Sequence, residues 1–509
     1  MQPFSFFTQR PRLLIFSIYF ISICYLAFLV FSNQPGIFFS GDGGMKFMVV
    51  KQLQVGQGFK YLYLPQPAWV HGIWNSGFFP FRDPFIYTSP QGDLFSFPPY
   101  FQLISAKFYG WFGYAGLYVL PVLSAILLWG VMIVLLRLTG SIPEITVAWL
   151  LAILVFCSPL TLYGAIYWEH MPAVLLLCAG IAVLLRPGMG RGYALLFGSL
   201  SGLSVWLRPE AIAMNILFGV AALLLYRRER YRGIPWFVAG MAITMAGFLV
   251  MNHRWFGSLL GVHSYQVLQD HSLFYKIGKG GKNFFVINWI SIRYFPFILA
   301  APIVLYLWWR GRVRLEQRTV LFLAVIAAFC CLSPFMLPND GGMQWGARYF
   351  LGVIPLFLVA ISLVIKDIRM NRQGMPKWVP LLVGLAMVYA FFLNSIAGGV
   401  YKLRQANFTR IKPAMEFIRQ QPGDVIVVGS EFIPMELGSL FDEKYFFLSA
   451  KDSSFVRLHT LLQQQHVREY LYINQEDKSP AFPNLLQQDG SKGLVKKGNY
   501  YFARYAVPE

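Results

Sequence analysis

The chain has 509 residues, 56% hydrophobic and only 13% charged, about half the charged share of a soluble domain, which excludes a water-soluble globular protein. Its 43 basic and 23 acidic side chains give a net charge of +20. The basic residues fall in short loops between apolar runs, which is a membrane-topology pattern and excludes nucleic acid as the partner. The five cysteines all lie inside apolar runs, so neither a disulfide frame nor a zinc site is expected.

The first apolar run, 13–32, is too long for a signal-peptide core and lacks a small-x-small cleavage site, so it reads as a retained first span. Ser40-Gly41-Asp42-Gly43-Gly44 follows. A carboxylate just past the hydrocarbon edge is uncommon, and its glycine neighbours allow close approach of other groups. The plain alternative is a loop acid at the start of a helix. Lys46 and Lys51 come next at near-helical spacing. The segment 33–114 is rich in Pro, Gly and aromatics, with amphipathic stretches at 44–55 and 98–113 suited to a membrane surface.

Spans follow at 115–136, 144–163 and 169–186. Tyr167-Trp168-Glu169-His170 lies between the last two with almost no loop. The acid and imidazole are either incidental neighbours of an interfacial aromatic anchor or ligand-facing groups. The stretch 192–226 is interrupted by Arg208-Pro209-Glu210, where proline favours a break into 192–207 and 209–226. Arg208 reads either as a structural pair with Glu210 or as a fork for phosphate oxygens. After a span at 234–252 comes a polar segment, 253–288, with a Gly/Lys-rich centre from Lys276 to Lys282.

Further spans are read at 289–309, 318–337, 348–366 and 378–397. The loop from Asn339 to Tyr349 carries Asp340, Trp345 and Arg348 between glycines. Arg348 is placed at the membrane edge, where a snorkelling side chain is the plain alternative, and Trp345 suits a sugar ring or an interfacial belt. The tail, 400–509, differs in composition. Val425–Val428, Tyr445–Leu448 and Glu469–Ile473 read as strands, Lys412–Gln420 and Ser453–Gln465 as helices, and 493–506 as a hairpin.

These elements predict an α-helical polytopic membrane protein with about eleven transmembrane helices over 1–399 and a small α/β domain over 400–509. Placing the N-terminus inside puts Arg137, Arg186 and Arg191, the arginines of 227–232 and 310–318, and Lys366, Arg369, Arg372 and Lys377 all on the cytoplasmic side. The C-terminus is then outside, as are 33–114 and 253–288. Most polar residues near span ends gather on that outer side, which suggests one outer-leaflet cavity. His71, His253, His263 and His271 show no metal-ligand spacing, and the outer loops carry no D-x-D, so no metal and no other cofactor is expected.

Gly41-Asp42 after the first span, Phe97-Pro98-Pro99-Tyr100 before the next, Glu169 at a span start, Leu207-Arg208-Pro209-Glu210 and Trp345-Gly346-Ala347-Arg348-Tyr349 occur in this order. In them the chain resembles, over about residues 1–400, the GT-C superfamily of polytopic glycosyltransferases. That group includes protein O-mannosyltransferases and the aminoarabinose transferase of lipid A. The resemblance implies transfer of a sugar, with inversion, from a polyprenyl-phosphate donor to a lipid, glycan or protein acceptor on the extracytoplasmic face of the inner (plasma) membrane. Asp42 would be the general base. Arg208 and Arg348, with Lys46, would hold the phosphate, and Glu169, His170, Glu210 and Trp345 would line the substrate site. A protein of this fold that binds or transports lipid-linked sugars without transferring them is the alternative.

Overall fold

The computed structural model describes residues 10–140, 142–186, 188–229, 232–262, 265, 272–337, 339, 341, 345–371, 378–477 and 494–507. Arg230, His263, His271, Asp340, Arg372 and Lys377 lie outside the described residues. The chain is mostly helical and divides into two compact units. The first joins residues up to Val30 with Tyr118–Val400, and the second joins Phe31–Leu117 with Tyr401–Glu509. The segment after the first apolar helix therefore clusters with the tail.

In the first unit, apolar runs become helices because lipid offers no partner for backbone N–H and C=O groups. Among the described residues, five helices are long and apolar enough to cross a membrane: Pro11–Phe31, Tyr114–Leu138, Ile234–Phe256, Gln317–Met336 and Val379–Lys402. Shorter apolar helices run over Glu144–Phe156, His170–Leu185 and Ala211–Leu225. The helix Arg191–Leu207 packs along Ile234–Phe256 at very short range. A Cβ on Gly198 would meet the Phe237 carbonyl oxygen, and one on Gly202 the Thr244 hydroxyl. Small residues four apart are the usual device for close helix contact where no hydrophobic driving force acts between helices.

The polar segment read at 253–288 and the span read at 289–309 meet inside one helix. A helix runs from Leu273 to Tyr294, started by Ser272, whose hydroxyl accepts from Tyr275 N at 3.3 Å. The chain then bends by 115° before continuing to Trp309. Pro296 is the cause: it removes a backbone donor and drives Phe295 out of the helical region, to φ −143 and ψ 72.

The second unit contains a hairpin of β1 (Ile86–Ser89) and β2 (Gly92–Phe95) and a five-stranded sheet. That sheet comprises β3 (Val425–Val428), β4 (Tyr445–Leu448), β5 (Glu469–Asn474), β6 (Val495–Lys497) and β7 (Tyr500–Ala506), in the order β4-β3-β5-β7-β6. Strands β3, β4 and β5 are parallel, while β7 pairs antiparallel with β5 and with β6. All four residues of β3 are buried, which is why it reads as an unbroken Val/Ile run. One apolar core includes Met45, Val49, Trp74 and Phe81 of the loop segment together with Ile426, Phe446 and Ile473 of the sheet. Trp74 seals the contact, its indole N–H donating to the Phe446 carbonyl at 2.9 Å.

The helix Gly41–Gln54 lies in this unit, and the tail grips it along its length. Ser439 Oγ donates to Gly36 O at 2.9 Å, and Arg410 Nη2 donates to Phe39 O at 3.0 Å. Lys51 pairs with Asp442. A Cβ on Gly44 would run into the Met435 carbonyl oxygen, and one on Gly438 would sit 3.1 Å from the Gly44 oxygen. The glycines beside Asp42 thus serve protein packing.

Candidate active site

The break at Arg208-Pro209 builds one side of a cleft in the first unit. Proline forces the preceding residue toward the extended region, and Arg208 sits at φ −138 and ψ 99 between two helices. Its side chain therefore leaves the helix end sideways. Its Nη1 donates to Glu169 Oε1 at 2.8 Å, and its Nη2 to Glu210 Oε1. Glu169 is 2% exposed and stands at the N-terminal boundary of the helix His170–Leu185. It makes no side-chain bond to its own helix end, and its carboxylate pairs with Arg208.

Arg348 forms the second side. It opens the short turn Arg348–Phe350 ahead of the helix Val353–Met370. Its guanidinium lies 5.1 Å from the centre of the Tyr349 ring and 5.7 Å from that of Trp168, within cation–π range of both. Its Nη2 also donates to the Tyr349 hydroxyl at 3.3 Å. That hydroxyl donates to Asn339 Oδ1 at 3.0 Å, and Gly341 N donates to the same oxygen at 2.9 Å. Arg208 lies 5.9 Å from the same Tyr349 ring. Trp168 is stacked on His170, centroids 4.8 Å apart, with Tyr163 packed beside both.

His170, Arg208, Glu210, Arg348 and Tyr349 line the cleft, and Leu177, Met214 and Phe329 give it an apolar wall. Two guanidinium groups and two carboxylates balance in formal charge. Both carboxylates hold Arg208, and Arg348 donates to the Tyr349 hydroxyl. The cleft thus joins a charged rim to an apolar wall.

Of the residues expected from sequence, Glu169, His170, Arg208, Glu210 and Arg348 are brought together. Trp345 is not. It packs edge-on against Tyr294 at 5.1 Å, accepts at its carbonyl from the Tyr163 hydroxyl at 3.0 Å, and closes on Gly398. It braces the loop and does not line the cleft, because Gly346 at φ +75 turns the chain between it and Arg348. Asp42 and Lys46 belong to the second unit. Asp42 is half-buried in the first turn of Gly41–Gln54, where the helix dipole favours an acid. Lys46 follows four residues on, on the same face, 1% exposed, with its Nζ 4.7 Å from the Phe97 ring centre. Sequence reading gave no role to Tyr349 or Asn339. Their only signal was a tyrosine directly after Arg348 and an asparagine at the head of the same loop.

No family model and no curated protein sequence matches the chain. The fold does have counterparts. The chain is similar to ArnT from Cupriavidus metallidurans in its crystal structure bound to undecaprenyl phosphate, with a TM-score of 0.57 at 12% identity over 97% of this chain and 98% of that one. The apo form of that protein gives 0.52 at 11% identity over 96% and 97%. The Archaeoglobus fulgidus oligosaccharyltransferase tethered to an acceptor peptide gives 0.51 at 13% identity over 90% of this chain and 68% of that one. The chain shares the fold of these proteins.

Proposed function

We propose that the protein is a membrane glycosyltransferase that moves a sugar from a polyprenyl-phosphate donor to an extracytoplasmic acceptor, with inversion. The observation that carries this reading is the fold, shared along nearly the whole chain with a protein crystallised with undecaprenyl phosphate. In this reading the chain crosses the inner membrane about eleven times, N-terminus inside and C-terminus outside, as its loop charges favour. Asp42 takes the proton from the acceptor hydroxyl as that oxygen attacks the anomeric carbon. The bond to the phosphate oxygen breaks on the opposite face, and Arg348 stabilises the charge left on the phosphate. Arg208, engaged by Glu169 and Glu210, shapes the cleft, and Lys46 adds positive charge beside the base. No covalent intermediate on the protein is needed.

The undecaprenyl phosphate bound by the structural neighbour fits a second reading equally well, a protein of this fold that binds or transports lipid-linked sugars without transferring them. The test is complementation of a deletion strain, with envelope glycans read by mass spectrometry. Wild type is expected to restore a glycan modification. Asp42→Asn should lower it by roughly 100-fold or more, the usual contribution of a general base. Arg348→Gln should weaken it while leaving the protein folded. Full transfer by Asp42→Asn would sink the assignment of the base. Binding of polyprenyl phosphate with no transfer by wild type would establish the second reading instead.

A further inference from the structure

The lysine-rich centre of 253–288 takes no part in the proposed chemistry, yet the structure gives it a defined presentation. It lies in the helix Leu273–Tyr294, which carries Lys276, Lys279, Lys282 and Arg293 and no acidic residue. One face of this helix is docked. A Cβ on Gly280 would collide with the Phe335 ring, and Asn283 Nδ2 donates to the carbonyls of Pro334 and Leu337 at 3.4 and 3.3 Å. Asn288 Nδ2 adds a bond to Cys330 O at 3.2 Å.

The opposite face is uncovered. Phe274, Phe285 and Trp289 follow at spacings of eleven and four, which places them on one stripe. They are 88%, 73% and 67% exposed. Lys282 lies beside that stripe, at its Trp289 edge, and Lys279 and Lys276 wind away from it round the helix in steps of three residues. None of the three makes an ion pair with a described residue. A water-exposed helix would not keep three large apolar side chains in line, and a helix crossing the hydrocarbon would not carry three lysines in its first half. Both features fit a helix lying in the membrane interface. The 115° bend at Phe295-Pro296 turns it sharply away from the apolar helix that follows.

We propose that this helix docks anionic lipid: the aromatic stripe enters the headgroup–acyl boundary, Lys282 at its edge holds a lipid phosphate, and Lys279 and Lys276, winding toward the water side, add the positive potential that draws anionic headgroups to it. Charge complementarity selects an anionic partner, and the aromatic stripe selects a lipid over a free anion. The docked face also ties the helix to the cleft, because Ser333–Leu337, on which the helix rests, runs directly into Asn339, the acceptor of the Tyr349 hydroxyl.

The test uses the purified full chain in neutral detergent and needs no sugar transfer. Binding of short-chain phosphatidylglycerol, of phosphatidylcholine of equal chain length and of inorganic phosphate is measured by tryptophan quenching. Wild type should prefer phosphatidylglycerol, with the preference falling as salt rises. A basic side chain at an anionic surface contributes about fivefold, so Lys276→Gln/Lys279→Gln/Lys282→Gln should lose roughly 100-fold. The corresponding triple arginine variant should keep the affinity. Arg310→Gln/Arg312→Gln, which removes exposed charge elsewhere, should also keep it. If the triple glutamine variant does not fold, Lys279→Gln alone should show about the fivefold step. Unchanged affinity in the glutamine variants would overturn the proposal, as would equal loss in the Arg310/Arg312 control. Competition by inorganic phosphate as strong as by the lipid would replace it with a simple anion site.

Discussion

Arg208 is the most heavily engaged side chain of the cleft, and that sets what its removal does. Its side chain is 13% exposed, and those of its partners Glu169 and Glu210 are 3% and 16% exposed. Deleting one member of a buried charge cluster leaves the others uncompensated and commonly costs about 3–5 kcal/mol. Arg208→Ala is therefore expected to destabilise the protein by about that amount, seen as a clear fall in melting temperature in detergent. Arg208→Lys should recover only part, because an ammonium cannot satisfy two carboxylates with one planar fork. Arg348→Gln leaves the Arg208–Glu169–Glu210 cluster intact and should lower the melting temperature less than Arg208→Ala does. If Arg208→Ala melts like wild type, the cluster is not structural. The Arg208–Glu210 pair was readable in the sequence, since a proline break brings neighbours together. Glu169 was read as lining the substrate site and not as the partner of Arg208. The two lie 39 positions apart on separate helices, and no linear spacing joins them.

The helix Gly41–Gln54 shows how an element's sequence can be read for the wrong partner. Glycines around an acid allow close approach of other groups without saying which. In the structure Gly41 and Gly44 are approached by Met435 of the tail, and Gly43 by Phe38. At Gly44 the neighbour is a backbone carbonyl, which cannot swing aside as a flexible side chain can. Adding one methyl group there overpacks the contact, a change that typically costs about 1–3 kcal/mol. Gly44→Ala is accordingly expected to lower stability by that order and to loosen the Asp42 turn, read as faster hydrogen exchange at residues 40–46 with sheet amides such as Ile426 unchanged. Gly278→Ala, where a Cβ meets open space in the middle of a helix, is the matched control and should be neutral or slightly stabilising. Equal exchange in Gly44→Ala and wild type would show that the contact does not hold the turn.

For the whole chain, the tail carries the second unit's sheet, but its partner comes from far away in sequence. The strands of the tail were legible because β-branched and aromatic runs a few residues long match a buried parallel sheet. The shared core was not. Trp74, Phe78 and Phe81 have the composition of a lipid-facing belt, and composition alone does not separate an aromatic that meets lipid from one that meets protein. Twelve apolar residues between Ile37 and Phe95 are buried in the core that also contains β3, β4, β5 and β7. Each such burial is worth about 1.5–3 kcal/mol. A chain ending at Val400 would expose much of that surface and lose the anchor at Gly36, Phe39 and Lys51. The truncated protein is therefore expected to be cut by protease within 57–97 under conditions where the full chain is protected there, while the helices of the first unit stay intact. Supplying 401–509 as a separate chain in the same compartment should restore protection, because the core joins two segments that need not be covalently continuous. Protection of 57–97 in the truncated protein without that second chain would mean that the first loop folds by itself and that the tail is an appendage.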